Sequence, residues 1–281
     1  TITKVDLSPE ELKKVVNKVG ACLAWGGSLG LAPADDKIIR IERILKLDSD
    51  SQLIASILSK KLAVGSTHVL IDIPYGEGAK VSRKRAERLK RRFLSLGKHF
   101  GLSIKVILTN TDQPIGNGIG PVLEMIDVFK VLKRKEPPQD LERKSVHVAG
   151  IILELVRKAK KGKGGKMAQE ILDSGKAYKK FKQIIEAQGK VHHNLRAGKF
   201  SKIIRAESDG RINRIDSRLI SNAATILGCP IDKAAGIYLY KHKSDPVRIG
   251  EKIAVLYAES KDKLEEGADF FEKSKPIRIY R

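Results

Sequence analysis

The stretch Val69–Ser82, VLIDIPYGEGAKVS, decides the fold. Val69, Leu70, Ile71 and Ile73 form a nearly continuous apolar run, the pattern of a strand buried on both faces. Pro74 and the Gly76-Glu77-Gly78 triplet end it, because proline has no N–H for a ladder and glycine permits a tight turn. Lys80 follows, and Ser82 opens a charged helical pattern that runs to Phe100. A strand, a glycine loop, a lysine and a helix N-terminus together make a place for an anion. Backbone N–H groups and the helix dipole point at it, and the lysine adds a full positive charge. An ordinary strand-to-helix turn, whose glycines only satisfy backbone geometry, has the same pattern.

Working outward, strand Thr67–Ile73, helix Ser82–Phe100 and strand Leu102–Thr109 read as one βαβ unit, whose right-handed crossover makes the strands parallel. A second glycine-rich loop, Asp112–Pro121 (DQPIGNGIGP), precedes helix Val122–Lys133. Ligands on open parallel sheets bind beyond the carboxyl ends of strands, so loops Tyr75–Lys80 and Thr111–Gly120 are expected to share one crevice. Upstream, Ser8-Pro9-Glu10-Glu11 is a capping box for a helix that Gly20 stops. Ala21–Trp25 reads as a strand, a loop leads into Lys37–Leu47, and an amphipathic helix spans Ser51 to Val64. On that helix Ser56 and Lys60 lie four apart on one face. After Pro137-Pro138 come helical segments near Leu141–Ala159, Lys166–Ser174 and Ala177–Gln188.

From Gly189 the texture changes. Phe200–Ile215, Gly236–His242 and Lys252–Tyr257 alternate like antiparallel strands, with helices Asp216–Leu227 and Asp262–Lys273 between and after them. Ser244-Asp245-Pro246 reads as a hairpin turn. The expected architecture is an α/β fold with a mixed or parallel sheet and flanking helices over residues 1–188. A C-terminal α+β module over residues 189–281 follows.

With 41% hydrophobic and 31% charged residues, the 281-residue chain is globular. The formal charge of +22 asks for an anionic partner or a lysine-rich solvated surface. The densest basic runs are Ser82–Arg92 and Arg157–Lys166, and the few aromatics do not interleave with them. Stacking platforms are therefore not evident, and a basic nucleic-acid-binding module is the less favoured class. No apolar run has the length of a membrane span, and no signal-peptide pattern opens the sequence. Cys22 and Cys229 lack metal-ligand spacing, which suits a reduced, cytoplasmic protein. The six histidines show no ligand spacing either, so no metal or cofactor is expected.

Five separated stretches resemble the nucleoside phosphorylases of the thymidine/pyrimidine type, and within them the archaeal AMP phosphorylases. They are Trp25–Asp36 (WGGSLGLAPADD), Gln52–Ser66 (QLIASILSKKLAVGS), Val69–Lys80, Gln113–Glu124 (QPIGNGIGPVLE), and Gly175–Ala177 with Ile184–Gly189. The resemblance implies phosphorolysis of an N-glycosidic bond. AMP, and CMP or UMP as further substrates, would react with phosphate to give the free base and ribose 1,5-bisphosphate. Asp48 matches the family's proton donor, whose acid must hold its proton near neutral pH. On frequency alone, Asp48 would instead cap the helix that follows. Ser56 matches a substrate contact, Lys60 a base-contacting lysine of the pyrimidine-specific relatives, and Lys80 the AMP-contacting lysine of the archaeal subgroup. Arg43 stands near a base-binding arginine of those relatives, but at a different spacing from Ser56.

Phosphate is the implied co-substrate. A homo-oligomer without membrane contact is expected. The family's phosphate-binding glycine motif lies upstream of Thr1, so the chain is expected to be a piece of a longer enzyme and inactive by itself. A thymidine or pyrimidine nucleoside phosphorylase is the alternative within the family.

Overall fold

The computed structural model describes residues 2–26, 30–45, 49–77, 79, 81–189 and 195–280. Contacts gather the chain into two compact units built from separated stretches: residues 1–73, 84–108 and 146–193, and residues 74–83, 109–145 and 194–281.

In the first unit, α1 (Pro9–Val19) has the capping box the sequence predicts. Glu11 N–H donates to Ser8 Oγ at 3.2 Å, and Ser8 N–H donates to the Glu11 carboxylate at 2.8 Å. Gly20 ends the helix in the left-handed region at φ 78°. Residues Ala21–Trp25 do not form a strand. Their backbone finds another partner in the buried Gln188 side chain. Its amide accepts from Leu23 N–H at 2.7 Å and donates to the carbonyls of Leu23 (2.8 Å) and Lys4 (2.7 Å). One side chain thus does most of the bonding a neighbouring strand would have done, beside one backbone bond from Trp25 N–H to Val5 O at 2.7 Å.

Helices α2 (Pro33–Leu45) and α3 (Asp50–Ala63) precede strand β1 (His68–Tyr75). Along β1 only Val69, Ile71 and Ile73 are buried, while Leu70 and Asp72 are half-buried. The expectation of burial on both faces is corrected to alternation: the apolar run is interrupted by Asp72, which sits on the wetter face. Helix α4 (Arg83–His99) buries Ala86, Leu89 and Phe93. Ile104 of β2 (Ser103–Asn110) approaches so near Gly97 that a Cβ there would lie 2.5 Å from its methyl. β1 and β2 form a two-stranded sheet, with Ser103 N–H bonded to Thr67 O and Thr111 N–H bonded to Tyr75 O. Both bonds advance together along the strands, so the pair is parallel, as the βαβ reading requires.

The later strand β3 (Gly118–Ile119) and helix α5 (Pro121–Lys133) belong to the second unit, and α6 (Gln139–Leu155) runs on into the first. Helix α7 (Gly164–Asp173) begins against α6: a Cβ on Gly150 would strike the Gly164–Gly165 backbone, and one on Gly164 would strike the Gly150 carbonyl. The Glu154 carboxylate accepts from the N–H groups of Gly162 (2.9 Å) and Gly164 (3.0 Å). Gly164 in the basic run Arg157–Lys166 therefore serves helix packing. Helix α8 (Lys176–Ala187) completes the first unit.

The second unit adds β4 (Phe200–Arg205), β5 (Gly210–Ile215), α9 (Ser217–Ile226), β6 (Gly236–Leu239), β7 (Pro246–Val247), β8 (Lys252–Ala258), α10 (Lys261–Ser274) and β9 (Ile277–Tyr280). They form two antiparallel sheets, ordered β3-β6-β8-β4 and β7-β5-β9. β6 and β8 pair as the sequence suggests. The residues between them do not make a simple hairpin, because Pro246-Val247 leaves to pair with β5. Ile212, Ile215, Ile220, Leu227, Ile237, Leu239, Leu256 and Phe271 fill one apolar core between the sheets and α9 and α10. The chain is thus a mixed α/β protein whose C-terminal part is antiparallel α+β.

Candidate active site

Asp35, in the first turn of α2, reaches the face of α3 that carries Gln52, Ser56 and Lys60 at successive turns. Its carboxylate is 7% exposed. One oxygen accepts from Gln52 Nε2 at 2.8 Å, and the other accepts from Ser56 Oγ at 2.8 Å and Lys60 Nζ at 2.5 Å. Lys60 Nζ also stands 3.4 Å from Ser56 Oγ. The structure therefore brings together two of the predicted site residues, Ser56 and Lys60, and adds two the sequence reading assigned no role, Asp35 and Gln52. A charge taken from water is stabilised when paired and hydrogen-bonded, and all the partners here are hydrogen-bonded.

Asp48 and Lys80 lie outside the described residues, as does the Arg43 side chain. The chain around Asp48 is still informative. The N-cap of α3 is Ser49, one residue beyond it, and Ser49 makes no side-chain cap bond. Asp50 turns to α4: Arg85 Nε donates to one of its oxygens at 2.7 Å, and Arg88 Nη2 donates to the other at 2.7 Å. Hydrogen bonds from Arg85 and then Arg88 outweigh burial and hold the Asp50 carboxyl below its ordinary range. Arg92 donates to Ser51 Oγ at 3.0 Å. Three arginines of the Ser82–Arg92 run are thus engaged with the start of α3.

In the second unit the two glycine loops lie side by side. Gly76 has φ 151°, and a Cβ there would stand 2.7 Å from Thr111 O, so only glycine fits. Glu77 pairs with Arg214 of β5 at 2.5 Å, and Arg214 also holds Asp216 at 3.0 Å. Burial pushes the Asp216 carboxyl up, but the N–H groups of Leu219 and Arg218 and the charge of Arg214 outweigh it, leaving it below its ordinary value.

The second loop is not an open cradle for an anion, because acids of the chain take its N–H groups. Asp127, buried in α5, accepts from Asn117 and Gly118 N–H at 2.7 Å each. Asp140 accepts from Gly116 N–H and Glu124 from Gly120 N–H, both at 3.0 Å. Asn117 ties this loop to β6 and the segment after it: its amide donates to Tyr238 OH at 3.1 Å and faces His242 Nε2 at 2.8 Å. Lys130 donates to the same phenol oxygen at 2.8 Å. Lys243 N–H, beyond β6, donates to Gln113 Oε1 at 2.7 Å. Among the described residues no group of three or more His, Cys, Asp and Glu side chains is placed to hold a metal ion. No helix of the described residues is long and apolar enough to cross a membrane.

Comparison with known proteins closes the question of kinship. The chain is 43% identical over 99% of its length to an AMP phosphorylase of Pyrococcus horikoshii. It is 41% identical over 99% to a Legionella pneumophila protein assigned as a thymidine phosphorylase. Over nearly its whole length the chain is similar to thymidine and AMP phosphorylases. The family model for the pyrimidine nucleoside phosphorylase C-terminal domain matches residues 211–278, from β5 to β9. A bacterial member from Rhodopseudomonas palustris, likewise assigned as a thymidine phosphorylase, is 45% identical over 94% of the chain. The chain spans about half the length of these relatives: 56%, 54% and 52% respectively. Family members similar to this chain thus occur in archaea and bacteria alike.

Proposed function

We propose that these residues form part of the active site of a nucleotide phosphorylase that cleaves AMP with phosphate to adenine and ribose 1,5-bisphosphate. CMP and UMP are further candidate substrates. The observation that carries this reading is the 43% identity, over nearly the whole chain, to a relative named AMP phosphorylase. The Asp35–Ser56–Lys60 cluster supports it with a compact polar face.

The chemistry asks for a nucleophile at C1′ and a proton for the departing base. Phosphate is the nucleophile, Asp48 is assigned the proton, Ser56 and Lys60 the base, and Lys80 the 5′-phosphate. In this reading residues 189–281 are the C-terminal domain, supported by the family model that falls within them. A homo-oligomer in a reducing, cytoplasmic setting completes the proposal.

The test is release of adenine from AMP by the natural protein that contains these residues, measured with and without phosphate. Phosphate-dependent release is expected; release that ignores phosphate, or none, ends the reading. The relatives assigned as thymidine phosphorylases favour a second one, phosphorolysis of pyrimidine nucleosides. Thymidine cleaved faster than AMP in the same assay would select it.

A further inference from the structure

We infer that Asp35 fixes the hydrogen-bonding sense of Ser56, so that Ser56 reads a base only through an N–H that the base donates. The inference rests on the reading of Ser56 and Lys60 as contacts to the base. Its chemistry comes from the cluster alone. An ionised carboxylate has acceptors and no donor, so the 2.8 Å contact between Ser56 Oγ and Asp35 is one in which the hydroxyl donates. A serine has one proton, and it is spent there. What remains toward a ligand is a lone pair.

Two features keep the arrangement fixed. Gln52 holds the far carboxylate oxygen at 2.8 Å, and Asp35 is buried between the helices. Lys60, 3.4 Å from the same hydroxyl, can only donate. The pair therefore offers one acceptor beside one donor. Its complement is a ring edge with an acceptor next to an N–H: the N1 and 6-amino group of adenine, the N3 and 4-amino group of cytosine, or the O4 and N3–H of uracil. An unsubstituted purine has the ring acceptor without the N–H and leaves the serine oxygen facing a ligand that cannot satisfy it. A site built to accept a hydrogen bond rejects the analogue that cannot give one.

The experiment compares equilibrium binding of AMP and purine riboside 5′-monophosphate, which differ only in the exocyclic amine, to the natural protein that contains these residues. The unaltered protein is expected to prefer AMP by about tenfold. Ser56→Ala should bring the two ligands to within about twofold. Asp35→Leu, close in shape but without an acceptor, should do the same, because the freed hydroxyl can then donate to a ring nitrogen. Asp35→Asn, whose amide oxygen still accepts from Ser56, should keep the preference. Should Asp35→Leu fail to fold, Asp35→Ala replaces it. Equal affinities in the unaltered protein overturn the inference, as does an undiminished preference in Asp35→Leu. If Ser56→Ala leaves both affinities unchanged, the placement of Ser56 at the base has failed instead, a result distinct from the other two.

Discussion

Ser56 and Lys60 were within reach of the sequence because a helix repeats every 3.6 residues, which sets side chains four apart on one face. Asp35 was not, since 21 residues separate it from Ser56 and only the packing of α2 on α3 closes that distance. Gln52 could have been found: it continues the same row one turn earlier. The residue that would carry the proton is the sharpest target. Asp48→Asn in the natural enzyme should lower kcat by roughly a hundredfold or more while leaving the melting temperature nearly unchanged. An unaltered rate would remove Asp48 from the mechanism. Lys80→Ala should weaken AMP more than adenosine, read as the ratio of their KM values, because only AMP carries the 5′-phosphate; equal losses would contradict the assignment.

At the scale of elements, α3 and α4 are fastened by Asp50 with Arg85 and Arg88. The folded carboxyl titrates below its unfolded counterpart, so the folded state binds its proton less readily. The resulting stabilisation is present above the ordinary aspartate range near pH ~4 and is lost as pH falls through the lowered value. Arg85→Gln should therefore lower the melting temperature at pH 7 and have little effect near pH 2. A difference that does not shrink with acid would mean that Arg85 acts through packing.

The β1–α4–β2 unit was legible because proline, glycine and apolar periodicity all mark its boundaries. Ala21–Trp25 departs from the strand reading for a definite reason: an apolar run signals a strand, and only a distant glutamine decides that the hydrogen bonds of Leu23 go to a side chain. The Ser244–Pro246 turn was legible locally. The departure of β7 to β5 was not, since pairing between sheets leaves no mark in the turn itself.

Across the whole molecule, the residue 109–145 segment joins its strand and helix to the C-terminal sheets, so the second unit is not a contiguous stretch. The joint is β3 on β6, and it depends on Gly236, whose φ is 154° and whose missing Cβ leaves room for Ile119 O. Gly236→Ala should cost more than about 1 kcal/mol. Hydrogen exchange should report the damage first at Ile119 and at Leu239, whose N–H bonds Asn117 O across the pairing; protection unchanged there would show that the two-residue strand is held by α5 alone.

Gln188 gives the first unit a different kind of joint. A strand is released one rung at a time, whereas here a single amide carries three of the segment's hydrogen bonds, beside one backbone bond from Trp25 N–H to Val5 O. Removing that amide with Gln188→Ala orphans the Lys4 carbonyl and both backbone groups of Leu23 together. Residues 21–25 should then become protease-sensitive as one piece, while α1, packed on α8, stays resistant.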